Sequence, residues 1–334
     1  MNARPGFGMD DALAGTEHGS LARALQALVA AGAEPLPLPG GGQTLERWRR
    51  LAAVAGRDLS LAKLYEGHTD ALAIHEELGC GPARAGAWGT WCAEPPQARL
   101  SMLPRSDGRL RLRGRKAWCS GAALLDHALV SGWNAAGEPC LAAVDLRQPG
   151  VQIGNEGWAA VGMADTCSVD VLFDDALATP VGPPHAYVRR PGFWHGGAGI
   201  AACWWGGAVG IGRAVQTALA QREPDAHQRA HLGAIDVALG ACAALLREAA
   251  AWIDRHPAQD AQAWALRVRL AVERGADDVL RHAGRALGAG PLCKQRALAR
   301  AMADLPIFMR QSHAERDLAA LGRALEREAD PWPL

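Results

Sequence analysis

The run Lys116-Ala117-Trp118-Cys119-Ser120-Gly121 closes the longest stretch of strand-like alternation in the chain and sets an indole and a hydroxyl two residues apart. Residues two apart in a strand share a face, so Trp118 and Ser120 would present a flat apolar wall and a hydrogen-bonding group to one space. A flavin suits that combination: its ring stacks on an indole, and its N5 accepts a hydrogen bond from a hydroxyl. The same pair also arises as core packing beside a satisfied hydroxyl, so its surroundings must decide. Upstream lies Trp91-Cys92-Ala93-Glu94-Pro95-Pro96, and downstream Trp158-Ala159-Ala160-Val161-Gly162-Met163-Ala164-Asp165-Thr166 leads into Val171-Leu172-Phe173-Asp174-Asp175.

Three groups of histidines are candidates for acid–base or metal chemistry. His313 and Asp317 stand four apart; on a helix they share a face, where the carboxylate would orient the imidazole and favour its protonated form. Such a pair can serve catalysis or belong to the solvated surface of the charged run Ser312-His313-Ala314-Glu315-Arg316-Asp317. His195, in Phe193-Trp194-His195-Gly196-Gly197, is a second candidate acid or base, with a buried histidine bonded to backbone as its alternative. His227 and His231 lie one helical turn apart but have no third ligand in view, so no metal is expected.

Positioning these groups takes several elements. Apolar spacing predicts helices over 9–31 and 44–80, broken at PLPLPGGG. From Trp88 the period changes to two, in the pieces WGTWC, LSMLP, RLRLRGRKAWCSG, LDHALVSGW, PCLAAVDL and SVDVLFDD, with turns at Ser106-Asp107-Gly108 and Asn134-Ala135-Ala136-Gly137. Helical spacing returns after Pro191, at about 193–222, 228–256, 258–288 and 293–326. The fold class is therefore α+β: an N-terminal helical part (1–87), a central antiparallel, barrel-like β domain (88–190) and a C-terminal helical bundle (191–334).

Bulk composition narrows the function. Lys+Arg and Asp+Glu both number 35, leaving no net field for nucleic acid or an anionic membrane. The 49% hydrophobic content suits a buried core. Phe193 to Gly212 is almost uncharged, yet it is so rich in glycine that a tightly packed buried helix is expected rather than a membrane span. The eight cysteines contain no C-x-x-C pair, and the N-terminus has no apolar run, so reduced thiols and a cytoplasmic location are expected.

The segments around Trp91, Trp118 and Gly162-Met163, in that order and between helical halves, resemble the acyl-CoA dehydrogenase superfamily. They match its Thr-Glu-Pro loop, its Trp-Ile-Thr-Asn/Ser-Gly strand and its Gly-Met-Arg-x-Ser/Thr segment before Val-x-Phe-x-Asp, and Ala178-Thr179-Pro180-Val181-Gly182 continues the match. The resemblance implies FAD, held by Trp118 and Ser120, with the backbone of Cys92, Ala93 and Glu94 along the ring. Five departures accompany it. Ala93 replaces the loop threonine, and Pro96-Gln97-Ala98-Arg99 stands where Gly-Ser-Asp is usual. Arg222 is followed by Glu-Pro-Asp-Ala rather than the Arg-x-Gln-Phe-Gly that reaches the FAD pyrophosphate of a neighbouring subunit, and the part before Trp88 is short. Neither family position for the catalytic glutamate holds a carboxylate: no Asp or Glu occurs between Asp175 and Glu223, and counting on from Asp304 reaches Arg310-Gln311-Ser312-His313. The spacing His313-x-x-x-Asp317 resembles the flavin-dependent monooxygenase branch instead.

Three readings follow. The first is an FAD-dependent oxidoreductase of acyl-CoA dehydrogenase type with an altered base, acting on a small molecule that is either an acyl thioester or something else. The second is a monooxygenase using His313 and Asp317, with reduced flavin supplied by a partner reductase. The third is a scaffold that has lost flavin. Gly- and Ala-rich helices permit close packing of subunits, and a homo-oligomer is expected.

Overall fold

In this computed structural model the described residues are 20–30, 36–221, 223–326 and 332. Residues 9–19 and 31 of the first expected helix, and Arg222, lie outside them. The helices before the sheet are α1 (Leu21–Ala30), α2 (Thr44–Ala55) and α3 (Leu59–Glu77). The expected helix over 44–80 is thus two helices, because α2 ends at Gly56 and Asp58 restarts the chain by accepting the Leu61 N–H on its side chain at 2.8 Å.

Seven strands follow: β1 (Trp88–Trp91), β2 (Leu100–Pro104), β3 (Leu110–Cys119), β4 (His127–Trp133), β5 (Pro139–Asp145), β6 (Val151–Ile153) and β7 (Val169–Pro180). Both expected turns form. In the second, the Asn134 carboxamide oxygen accepts the N–H groups of Ala136 and Glu138, while Gly137 takes the left-handed conformation at φ 76°.

The sheet closes on itself through β4-β2-β3-β7-β5 and back to β4, which corrects the expectation of an antiparallel domain. Strands in a ring with an odd number of staves cannot all alternate in direction, so at least one neighbouring pair must be parallel. Here that pair is β2 and β4, registered at Ser101 opposite Trp133. β1 also runs parallel to β4, from Trp88 opposite His127 to Trp91 opposite Val130. β1 and β2 therefore occupy successive stretches of one edge of β4 in the same direction, and the chain between them, residues 92–99, must bridge that edge as a loop. Closure leaves the ring without open edges.

Two compact units emerge, where the sequence division had boundaries at 87/88 and 190/191. One gathers Lys63–Ala159 and Ala164–Arg190; the other gathers Pro37–Ala62, Ala160–Met163 and the chain after Pro191. In the first, α3 lies on the barrel, where Ala71 and Ile74 pack with Trp88, Leu129, Leu141 and Val181. β4 is buried from His127 to Gly132, as expected of a strand covered on both faces.

The second unit is helical. After the short α4 (Ala186–Arg189), which closes the first unit, come α5 (Gly192–Ala220), α6 (Ala226–Arg255), α7 (Gln262–Leu287), α8 (Ala289–Lys294), α9 (Arg296–Met309) and α10 (Glu315–Leu325). The glycine-rich stretch forms α5 and is packed as a seam against α2. A Cβ on Gly206 would stand 2.3 Å from the Ala52 carbonyl oxygen, and one on Gly210 would stand 2.6 Å from that of Gly56. Absent side chains let the two backbones approach. Among the described residues it is α6 that is long and apolar enough to cross a membrane by length and composition, and only 17% of its apolar window is buried. The expected helix over 293–326 is three helices: extended backbone at Gln295 separates the first two, and a left-handed Ala314 (φ 43°) precedes the third.

Candidate functional site

Strand β3 turns Arg111, Arg113 and Arg115 outward, so strict alternation turns Leu112, Gly114 and Lys116 toward the interior. Beyond Lys116 the alternation fails. Lys116 pairs with Val171 and Cys119 with Val169, so Ala117 and Trp118 together oppose the single residue Asp170. This bulge is taken up by Trp118, whose φ of 58° is costly for a bulky side chain. The shared strand face expected for Trp118 and Ser120 is thereby corrected: the bulge intervenes, and Ser120 lies in the turn beyond the strand. Trp118 is 52% exposed, outside the barrel core.

Ser120 is held at several points. Its hydroxyl lies 2.7 Å from the Ser168 hydroxyl, which lies 2.8 Å from that of the buried Thr166. A hydroxyl donates once and accepts twice, so Ser120 keeps capacity for a further partner. Its carbonyl accepts the Trp91 indole N–H at 3.1 Å, and the next N–H, on Gly121, donates to the Thr166 carbonyl at 2.7 Å. The ends of β1 and β3 are thus tied together.

The 92–99 loop starts from the same place. Burial pushes the Cys92 thiol up to about 11, so it remains protonated at neutral pH and is a poor nucleophile. Ala93 is exposed. The Glu94 carboxylate is turned back onto the barrel: Oε1 accepts from Lys116 Nζ at 2.5 Å and from the Ser131 hydroxyl, and Oε2 accepts the Trp133 indole N–H at 3.1 Å. What Glu94 leaves for a ligand is backbone. Sequence reasoning passed over Lys116, although the outward arginines at 111, 113 and 115 already implied that it faces inward.

The candidate acid–base groups belong to the other unit. His313 sits in the turn before α10, not on a helix with Asp317 as expected. The carboxylate still approaches it: Asp317 Oδ2 accepts the His313 backbone N–H at 3.1 Å, and Oδ1 lies 3.6 Å from the imidazole Nδ1. Arg269 Nη2 stands 4.0 Å from the same carboxylate, which is largely buried, while the imidazole is mostly exposed. His195 is only 2% exposed and is packed so closely on Gly40 that a Cβ there would lie 2.4 Å from its Nδ1. That burial leaves it little access to a substrate. His231 faces His282, with their Nδ1 atoms 2.9 Å apart, and among the described residues no group of three or more potential ligands could hold a metal.

Asp304 serves the fold. It is buried, accepts the Met163 N–H at 2.5 Å and pairs with Arg300 at 3.3 Å, and burial raises its pKa. It thereby fixes the backbone of Gly162-Met163 on α9, where a Cβ at Gly162 would meet the Ala303 carbonyl at 2.1 Å.

No protein-family model and no curated protein matches the chain. Solved structures do. Dibenzothiophene monooxygenase TdsC from Paenibacillus sp. A11-2 superposes with a TM-score of 0.77 at 18% identity, over 95% of this chain and 93% of that one. Methanesulfinate monooxygenase MsuC from Pseudomonas fluorescens gives 0.78 at 18% identity, over 98% and 96%. Butyryl-CoA dehydrogenase from Megasphaera elsdenii gives 0.78 at 16% identity, over 98% and 100%. The chain has the acyl-CoA dehydrogenase fold. TdsC has also been solved with FMN, and with FMN and indole together.

Proposed function

We propose that this protein is a flavin-dependent oxidoreductase whose ring site is built on Trp118, Ser120 and the backbone of Cys92, Ala93 and Glu94. The carrying observation is a half-exposed Trp118 on a bulge, two residues before a Ser120 hydroxyl with spare capacity, at a strand end that the Trp91 indole ties to the start of the 92–99 loop. These groups fit a planar, hydrogen-bonding heteroaromatic: the indole provides a stacking face, and the Thr166–Ser168–Ser120 chain holds the hydroxyl oxygen in place. A bound flavin supplies two-electron chemistry; the protein orients it and handles protons.

FAD is the cofactor expected from the family resemblance. FMN competes with it, because the sequence that reaches the FAD pyrophosphate in the family is missing after Arg222 and TdsC holds FMN. Titrating the purified protein with each, following Trp fluorescence and flavin absorbance, separates them. If neither binds, the protein is a scaffold on this fold.

A specific observation favours oxygen activation over acyl-CoA dehydrogenation. The carboxylate positions of the dehydrogenases are empty, Asp304 is committed to Met163 and Arg300, and the accessible acid–base group is His313, held by Asp317. In this reading His313 moves a proton on a small-molecule substrate, Asp317 orients it, and a reductase partner delivers reducing equivalents. With an acyl thioester as substrate, anaerobic flavin bleaching would occur on mixing; with the monooxygenase chemistry it would not. A cytoplasmic homo-oligomer belongs to the same proposal, and the exposed apolar face of α6 offers area for contact between subunits.

A further inference from the structure

Lys116 is fully buried, at 0% exposure, although an ammonium is the group a barrel interior accepts least readily. Its three donors meet three acceptors: Glu94 Oε1 at 2.5 Å, the Ser131 carbonyl at 2.8 Å and the Ser131 hydroxyl at 2.8 Å. An apolar side chain of similar volume would fill this space at lower desolvation cost, so the lysine adds little to stability that packing could not supply. What it adds is direction. It reaches from β3, two residues before Trp118, to the first polar side chain of the 92–99 loop.

The loop is restrained mainly from that end. Glu94 is gripped by Lys116, Ser131 and Trp133. Further along, Arg115 donates to the Gln97 carbonyl at 3.2 Å, and the Arg99 guanidinium lies 4.3 Å from the Trp133 ring centroid. On its other side the exposed Ala93 is next to Cys92, which follows the Trp91 anchored to Ser120. The Cys92–Glu94 backbone is therefore stretched between two fixed points, one on each side of the strand end that carries Trp118.

We propose that Lys116 is a positioning residue for the cofactor: through Glu94 it holds the Cys92–Glu94 main chain in the conformation that meets the flavin ring. This rests on the flavin reading above, although its mechanical half, that Lys116 orders the loop, stands without it. Without the tether the competent loop conformation becomes one among several, and affinity falls in proportion to its population; a drop to about a tenth weakens flavin binding about tenfold.

The test compares wild type, Lys116→Met and Glu94→Gln by amide hydrogen exchange without flavin and by titration with FMN and FAD. Both variants should exchange faster at residues 92–97, with β5 and β7 unchanged, and should bind flavin about tenfold more weakly with a displaced flavin absorbance band. Unchanged exchange at 92–97, or acceleration spread evenly over the barrel, overturns the proposal. If Lys116→Met does not fold, Glu94→Gln decides alone, because Glu94 lies at the loop and not in the barrel interior. If wild type binds neither flavin, the cofactor reading fails, and the exchange result still decides whether Lys116 orders the loop.

Discussion

Replacing Gly206 by alanine tests the seam between α2 and α5. The new Cβ would stand 2.3 Å from the Ala52 carbonyl oxygen, 2.7 Å from its Cα and 2.8 Å from its carbonyl carbon, where ordinary contact begins at 3.4 Å. All three atoms are main chain, so no side chain can swing aside, and the helices must separate by about 1 Å along a face that also holds Gly210 against Gly56. Overpacking of this kind costs ~1–3 kcal/mol, toward the upper end where backbone must move. Alanine recovers ~1 kcal/mol of helix propensity, leaving a net loss of about 2 kcal/mol. Gly322 on α10 is the control: a Cβ there meets nothing within 4 Å, so Gly322→Ala should gain up to about 1 kcal/mol. Urea unfolding followed by circular dichroism reads both, and the Gly206→Ala midpoint should fall while that of Gly322→Ala rises or stays. A Gly206→Ala protein as stable as wild type would show that these helices do not approach as described.

Trp118→Ala and Ser120→Ala should each weaken flavin binding by about tenfold or more, consistent with losing a stacking partner or a hydrogen bond, and Ser168→Ala should do so to a smaller extent; fluorescence titration measures all three. His313→Ala should abolish turnover while flavin affinity stays at the wild-type value, which combined binding and steady-state assays will check. Acyl-CoA dehydrogenase activity should lie about 10²–10⁴-fold below that of an enzyme with its glutamate, because that is the usual worth of a general base; rapid anaerobic bleaching by any acyl-CoA would contradict this. His68, which accepts the Trp88 N–H on Nδ1 at 3.1 Å, is lowered by burial to about 4. The unfolded chain therefore binds a proton that the folded one refuses as pH falls from 6.5 toward 4, and stability declines across that window by about 3 kcal/mol. Thermal melts of His68→Gln should show a flatter dependence over the same range.

Much of the architecture was readable from periodicity. The switch from helical spacing to alternation at Trp88 and back after Pro191 marked the strands, and the Asn134–Gly137 turn formed as its residue types required. Closure was not readable, because β2 and β4 meet at the single registered pair Ser101–Trp133, and nothing local in either strand encodes a parallel neighbour. Helix ends were also blurred: Ala314 has no residue-type signal for the left-handed conformation that separates His313 from α10. Trp118 and Ser120 were singled out by type, but the rule that put them on one face assumes a regular strand, and a bulge at Ala117-Trp118 is invisible to a count of two. Lys116 was missed for the opposite reason, since alternation did place it inside and only its charge argued against looking there.

The backbone at Trp118 also bears on how this protein would respond to engineering. An indole half in solvent, on a residue forced to φ 58°, gains little from burial and bears the strain of a conformation that glycine adopts freely. A search for stabilising substitutions would therefore settle early on Trp118→Gly, and a thermal screen would score the variant as an improvement. On the proposed reading the same variant has lost its cofactor wall. Thermostability and flavin occupancy would then move in opposite directions at one position, so libraries built on this scaffold need a colour readout beside the melting temperature.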